Sequence, residues 1–190
     1  FDMAEEEQLK YIILQFKDYG NISYSLGKDY LKKLNGFDII FKTPKIRFDI
    51  PELERERKRG AVITSEMEVF VDLCPAEIIA ITGSDGKTTT TTIVHNILKE
   101  AGYKCWLGGN IGTPLIDRIE DIKKTDKVIL ELSSFQLHTM KKSPNIAIIT
   151  NISPNHLDVH KSMDEYIDAK KNIFRYQSKE DILVLNYQND

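Results

Sequence analysis

Cysteine is scarce in this chain. Cys74 and Cys105 are the only two in 190 residues, and their separation fits neither a Cys-x-x-Cys motif nor a zinc knuckle. A disulfide-stapled secreted scaffold is thereby excluded, and a reducing, cytoplasmic setting with both thiols as small packing residues is expected. Long apolar runs are missing too, so no membrane span is expected. The opening Phe1-Asp2-Met3-Ala4-Glu5-Glu6-Glu7 is acidic where a secretory signal is basic. Positive charge is not in excess: the formal net charge is −3. The one basic cluster, Arg55-Glu56-Arg57-Lys58-Arg59, alternates with acids in the manner of a solvated helix face. A nucleic-acid partner is therefore not expected. What remains, 41% hydrophobic and 29% charged, is enough to bury a core.

Helical and strand patterns alternate along the chain. Residues 4–17 carry Leu9, Ile12, Ile13 and Phe16 at helical spacing. A weak strand at 22–26 and a short helix at 29–34 follow. A buried strand at 37–41 precedes a helix at 51–59, opened by Pro51 and stopped by Gly60. A strand at 61–64 leads to Ser65 as cap of a helix at 66–73. The second half alternates more strongly, with strands at 77–82, 103–107, 127–132, 146–150 and 181–185. Helices are expected at 86–101, 114–123 and 162–177. This order implies an α/β fold with a mainly parallel sheet and flanking helices. The division falls just after Cys74, giving a small α/β piece over 1–76 and a nucleotide-type domain over 77–190.

The densest chemical signal is Ile78-Ile79-Ala80-Ile81-Thr82-Gly83-Ser84-Asp85-Gly86-Lys87-Thr88-Thr89. An apolar strand runs into a glycine-containing loop, then Gly-Lys-Thr, then a helix. Backbone N–H groups of such a loop hold phosphate oxygens, the helix N-terminus adds partial positive charge, the lysine reaches the outer phosphates and the next hydroxyl binds Mg²⁺. The first glycine, Gly83, stands two places late for the strict phosphate-loop spacing, and an ordinary strand-to-helix turn is the competing reading. Gly108-Gly109-Asn110-Ile111-Gly112 permits close backbone approach to a ligand, though a plain turn explains it equally well. Glu131 ends a strand inside Glu131-Leu132-Ser133-Ser134-Phe135-Gln136-Leu137, where a carboxylate either faces water or holds Mg²⁺ beside a phosphate loop. His156 and His160 are four apart, a zinc-like interval, but Pro154 argues against a continuous helix there. Lys170 sits mid-stripe among Met163, Tyr166, Ile167, Ile173 and Phe174, with Lys171 about 100° further round. A lysine in a core position is costly unless paired, modified or snorkelling outward.

Taken together with Asn151-Ile152-Ser153-Pro154-Asn155-His156-Leu157-Asp158 and Ala169-Lys170, these segments resemble the Mur ligase family in order and spacing. The segment 131–137 is similar to the branch that adds D-glutamate. The match is strong over 77–190 and loose over 1–76. The resemblance implies a P-loop-type central ATPase domain preceded by a partial Rossmann-like UDP-binding domain. It implies ATP and Mg²⁺ as cofactors, with UDP-N-acetylmuramoyl-L-alanine and D-glutamate as substrates joined through an acyl phosphate. Gly83, Ser84, Asp85, Gly86, Lys87, Thr88 and Thr89 would bind ATP. Lys87, His156 and Lys170 would be catalytic. Thr88, Glu131, His156 and a carbamylated Lys170 would hold metal. Asp2, Thr43, Asn110, Ser133 and Gln136 would lie near the substrate. Asn155 and Asp85 depart from the family's commoner Asp and Asn, and Lys45 stands where glycine is usual. The Phe1 start and the family's C-terminal acceptor domain, not found here, lead to the expectation of a chain truncated at both ends and inactive alone. A module that binds or hydrolyses ATP without ligating is the alternative.

Overall fold

The structure, a computed structural model, describes residues 1–154 and 160–188. It forms two compact units: Phe1–Phe41 with Arg47–Ile63, and Lys42–Ile46 with the chain from Thr64 onward.

In the first unit, α1 (Glu6–Gln15) opens with a capping box between Glu5 and Gln8, and none of its residues is buried. A 3-10 turn at Tyr30–Lys33 replaces the expected short helix. β1 (Ile39–Phe41) buries Ile40 alone; the longer buried strand expected at 37–41 does not form, because Phe37 and Phe41 stay exposed. α2 (Pro51–Lys58) ends at Arg59 and Gly60, and β2 (Val62–Thr64) pairs with β1. The strand expected at 22–26 reduces to one isolated bridge, Asp2 with Leu26. The basic cluster on α2 is not purely a solvated face. Glu56 is fully buried, its carboxylate accepting from Gly36 N at 2.8 Å and Arg55 Nε at 3.1 Å.

The second unit starts with α3 (Glu66–Leu73), whose Ser65 cap accepts from Glu68 N as expected. A five-stranded sheet follows: β3 (Glu77–Thr82), β4 (Cys105–Gly109), β5 (Lys127–Glu131), β6 (Ile146–Ile149) and β7 (Ile182–Leu185), in the order β4-β5-β3-β6-β7. Each neighbouring pair is parallel. Parallel strands need crossovers that cover both faces, which is why β3 and β5 are near-continuous apolar runs. One face, with Ile78, Ala80, Val128 and Leu130, packs against Met67, Phe70 and Val71 of α3, and against Leu137 and Ile173. The other, with Ile79, Ile81 and Ile129, packs under Val94 and Leu98. The latter pair belongs to α4 (Lys87–Glu100). Short α5 (Ser134–Leu137) and α6 (Met163–Arg175) supply Leu137 and Ile173. The sequence pattern did not mark α5, a single turn; the helix expected at 114–123 is a 3-10 turn, Ile116–Asp121. α3 precedes residue 77 yet packs into this sheet's core. No described helix is long and apolar enough to cross a membrane.

Because β3 lies at the centre, with β5 on one side and β6 on the other, the chain ends leaving these three strands converge at one edge of the sheet, where such folds place ligands. Phe70, 1% exposed, anchors α3 to this sheet. Phe70→Ala should cost about 3–5 kcal/mol in urea denaturation, whereas Ile93→Ala on the outer side of α4, 52% exposed, should stay within about 0.5 kcal/mol.

Candidate active site

The loop after β3 is shaped by two glycines. Gly83 has φ +153°, and a Cβ there would lie 1.9 Å from Thr150 Oγ1. Gly86, at φ +76°, is the N-cap of α4, a left-handed position that favours glycine. The segment after β6 braces the loop from behind. Ser84 N donates to Asn151 O at 2.9 Å and Asp85 N to Asn151 Oδ1 at 2.9 Å. Thr150 Oγ1 donates to Asp85 O at 2.6 Å. Ser84 Oγ donates to Ser153 O, accepts from Ser153 N, both at 2.8 Å, and meets Tyr166 Oη at 3.0 Å. The late first glycine is thus compensated: contacts across the sheet hold a loop whose own spacing is irregular. Ser84 is buried, Asp85 and Gly86 are exposed, and Thr89 is exposed on the first turn of α4. Lys87 begins α4 and turns back, its Nζ donating to Gly83 O at 3.1 Å and Ser84 O at 2.9 Å.

Glu131 ties three chain segments together. Its carboxylate is 1% exposed, accepting from Thr88 Oγ1 at 2.7 Å through one oxygen and from Asn110 Nδ2 at 2.9 Å through the other. The Asn110 backbone N–H also donates to Glu131 O at 2.7 Å. The strand-end acid therefore points inward, not to water. The glycines before Asn110 make that approach possible: a Cβ on Gly109 would sit 2.1 Å from Glu131 O. These residues fit Mg²⁺. Neighbouring oxygens around an octahedral Mg²⁺ lie about 2.9 Å apart, given bonds of about 2.0–2.1 Å, and Thr88 Oγ1 and Glu131 Oε2 are already 2.7 Å apart.

Lys170 reaches the same loop from α6. It is 2% exposed, while Lys171 is exposed, as the helical wheel requires. Its Nζ donates to Gly83 O at 2.8 Å and Thr82 Oγ1 at 3.2 Å, and lies 4.7 Å from the Tyr166 ring centre. Burial, with the Lys87 charge nearby, pushes its pKa down to about 7. The lysine does not snorkel. A cavity of about 160 Å³ collects Gly83, Lys87, Asn110, Ser133, Tyr166 and Lys170 on its walls.

The remaining expected residues are less uniform. Ser133 borders the cavity and caps α5, its Oγ accepting from Gln136 N at 3.3 Å. Gln136 is buried, and its Oε1 accepts from Ser133 N at 3.0 Å, so it serves the turn. Thr43 is exposed on the Lys42–Ile46 segment of the second unit. Asp2 belongs to the first unit, where its carboxylate accepts from Ala4 N at 2.8 Å. His156 lies outside the described residues. Tyr166, Ser153 and Asn151, which carry the loop's hydrogen bonds, were assigned no site role from the sequence, where Asn151 and Ser153 counted only as part of the segment 151–158 that carries the family resemblance. Tyr166 stood there only as one member of an apolar stripe.

With this geometry in view, the comparison with known families is direct: the model of the Mur ligase middle domain matches residues 81–190. The chain belongs to the Mur ligase family. Among curated Mur ligases, the UDP-N-acetylmuramoylalanine--D-glutamate ligase of Acetivibrio thermocellus is 68% identical over all 190 residues, which are 41% of that protein. The chain spans about two fifths of the length of the curated relatives it matches. Among solved structures, the UDP-N-acetylmuramate-alanine ligase MurC of Thermotoga maritima superposes with TM-score 0.51 at 27% identity, over 99% of this chain and 43% of that one. The MurF ligase of the same organism, in complex with ADP, gives 0.51 at 20% identity over 83% and 44%, a likeness of fold alone.

Burial of Lys170 should make the stability of this unit depend on pH. Its native pKa of about 7 is below the ordinary lysine value of 10.5, so between these limits the unfolded chain binds the extra proton. Stability therefore gains from this residue as pH rises from about 7 towards 10.5, by at most about 1.4 kcal/mol per pH unit. Lys170→Met should be flatter than wild type across that window in denaturation at a series of pH values. Parallel profiles would show that the amine is not desolvated.

Proposed function

We propose that the chain carries the ATP-handling centre, and part of the substrate-handling apparatus, of a ligase joining D-glutamate to UDP-N-acetylmuramoyl-L-alanine in cytoplasmic peptidoglycan-precursor synthesis. The observation that carries the reading is the Thr88–Glu131 oxygen pair, 2.7 Å apart, beside Lys87 at the carboxyl end of a parallel sheet. The 68% identical relative, a UDP-N-acetylmuramoylalanine--D-glutamate ligase, supports the choice of substrates. In this reading residues 77–190 are part of the ATP-binding domain and 1–76 part of the UDP-substrate domain, with Asp2 and Thr43 on the substrate side.

The chemistry follows from the side chains. The loop from Gly83 to Thr89 would hold the triphosphate through backbone N–H groups and the α4 N-terminus. Lys87, now spent on carbonyl oxygens of its own loop, would turn its ammonium to the outer phosphates and neutralise charge as the substrate carboxylate attacks the γ-phosphorus and ADP departs. The D-glutamate amine then attacks the acyl phosphate carbon and phosphate leaves. Bound Mg²⁺ supplies positive charge to the phosphate oxygens; Thr88 and Glu131 would hold one ion, and His156 with Lys170 a second. Lys170 would do so as a carbamate, formed when its neutral amine attacks CO₂ and loses a proton. The lowered pKa favours that neutral amine. Asn110 and Ser133, at the cavity wall, would contact the muramoyl substrate, with Gln136 positioning Ser133.

Two measurements test this. Lys87→Ala should weaken Mg²⁺-nucleotide binding in a titration by about 1.5–3 kcal/mol, the worth of a charge-assisted hydrogen bond; equal affinities would sink the phosphate-loop assignment. In the intact ligase Lys170→Ala should abolish amide formation while Lys171→Ala leaves it nearly intact. Short carboxylates added to Lys170→Ala should restore part of the activity by standing in for the carbamate. Damage at Lys171, or at neither position, would refute the carbamate.

A further inference from the structure

We propose that His138, His160 and Glu165 form a second metal site, for a borderline-soft divalent ion of the zinc class, separate from the Mg²⁺ ligands above. One ligand atom from each of the three lies within 4.8 Å of the others. His138 Nε2 is 3.6 Å from Glu165 Oε1, and His160 Nδ1 is 4.0 Å from Glu165 Oε2. In a tetrahedral zinc site with bonds of about 2.0–2.1 Å, ligand atoms stand about 3.4 Å apart, so the three need to close by only a fraction of an ångström to little more than one. Two imidazoles and one carboxylate are a zinc donor set, whereas Mg²⁺ prefers an all-oxygen shell.

The surroundings are built around His160. Its ring is stacked on Phe135 at 5.2 Å between centroids and 7° between planes, and Tyr166 meets it edge-on at 5.3 Å. The residue is 3% exposed. Its Nε2 lies 2.9 Å from Ser134 Oγ. When the ring donates that hydrogen bond, the Nδ1 lone pair is fixed towards Glu165, which is the outer-shell arrangement that orients metal-binding histidines. The other two side chains are 17% and 18% exposed, which leaves a route for the ion and a fourth position for water. His138 closes α5 and Glu165 lies in the first turn of α6. An ion there would staple the segment after Glu131 to the helix that carries Lys170.

The protein should be stripped with a chelator and titrated with Zn²⁺ by calorimetry and with Co²⁺ by visible absorption. One equivalent of Zn²⁺ should bind, Co²⁺ should give the intense d–d bands of a tetrahedral site, and Mg²⁺ should not compete. His138→Gln and Glu165→Gln change partly exposed side chains and should keep the fold by circular dichroism, yet weaken Zn²⁺ about a hundredfold. Ser134→Ala should weaken it by about tenfold through the outer shell. His95→Gln should bind as wild type. Zn²⁺ affinity that survives His138→Gln, loss on His156→Gln without loss on His138→Gln, or absence of the cobalt bands would each overturn the site and leave only a histidine–carboxylate contact.

Discussion

The site depends first on where the Glu131 carboxylate can go. A carboxylate with 1% exposure is tolerable only if its oxygens are hydrogen-bonded or bound to a cation. Here that requirement is met by Thr88 from the start of α4 and Asn110 from the end of β4. One buried charge thereby fixes the mutual position of the phosphate-type loop, the Gly108–Gly109 turn and the end of β5. The two donors are not equivalent. Asn110 reaches one carboxylate oxygen through its Nδ2, which can only donate. Thr88 has a hydroxyl, which donates to the other oxygen and also carries acceptor lone pairs. The two oxygens of a single residue are thus held from two different chain segments.

A second constraint is the carbonyl of Gly83, which accepts from both Lys87 and Lys170. Two ammonium groups on one acceptor repel each other, and the one further from solvent bears the larger desolvation cost. That is Lys170, whose pKa falls to about 7, whereas Lys87 is only half-buried. The asymmetry between the two lysines is one of burial: Lys170, reaching in from α6, is 2% exposed, whereas Lys87 at the start of α4 is half-buried. Burial is the larger cause of the fall at Lys170 and the neighbouring Lys87 charge the smaller.

Much of this was legible from residue order. β3 was readable to the residue because both its faces are covered and its apolar run is continuous. Ser65 declared the start of α3, and the wheel position of Lys170 against Lys171 survived in three dimensions because α6 has one buried stripe. Periodicity failed where no partner surface enforces it. The 22–26 segment has strand-like residues but gains only one bridge, and α1 keeps an apolar stripe with nothing buried. Pairing across the fold was the least legible feature. Nothing in the local sequence says that Glu56 closes on Gly36, that Tyr166 meets Ser84, or that Asn151 supplies the acceptors for the loop after β3. Each is a contact between residues 20 or more positions apart, and the two at the loop after β3 are set by the sheet order.

That sheet order also explains why the loop tolerates an irregular glycine spacing. A loop with the strict spacing satisfies its own curvature through its glycines. Here Gly83 is adjacent to β3, and Ser84 and Asp85 must turn without glycine. The backbone N–H groups of both are directed to Asn151, and the Ser84 side chain to Ser153. Those acceptors stand beside the loop only because β6 pairs with β3 in parallel, with Thr82 opposite Ile149. Moving β6 by one residue in register would turn Thr150 and Asn151 to opposite sides and leave two loop N–H groups without acceptors. The geometry of the phosphate-type loop is thus a property of the β3–β6 pairing as much as of the loop itself, and Tyr166 and Lys170 extend the same dependence to α6.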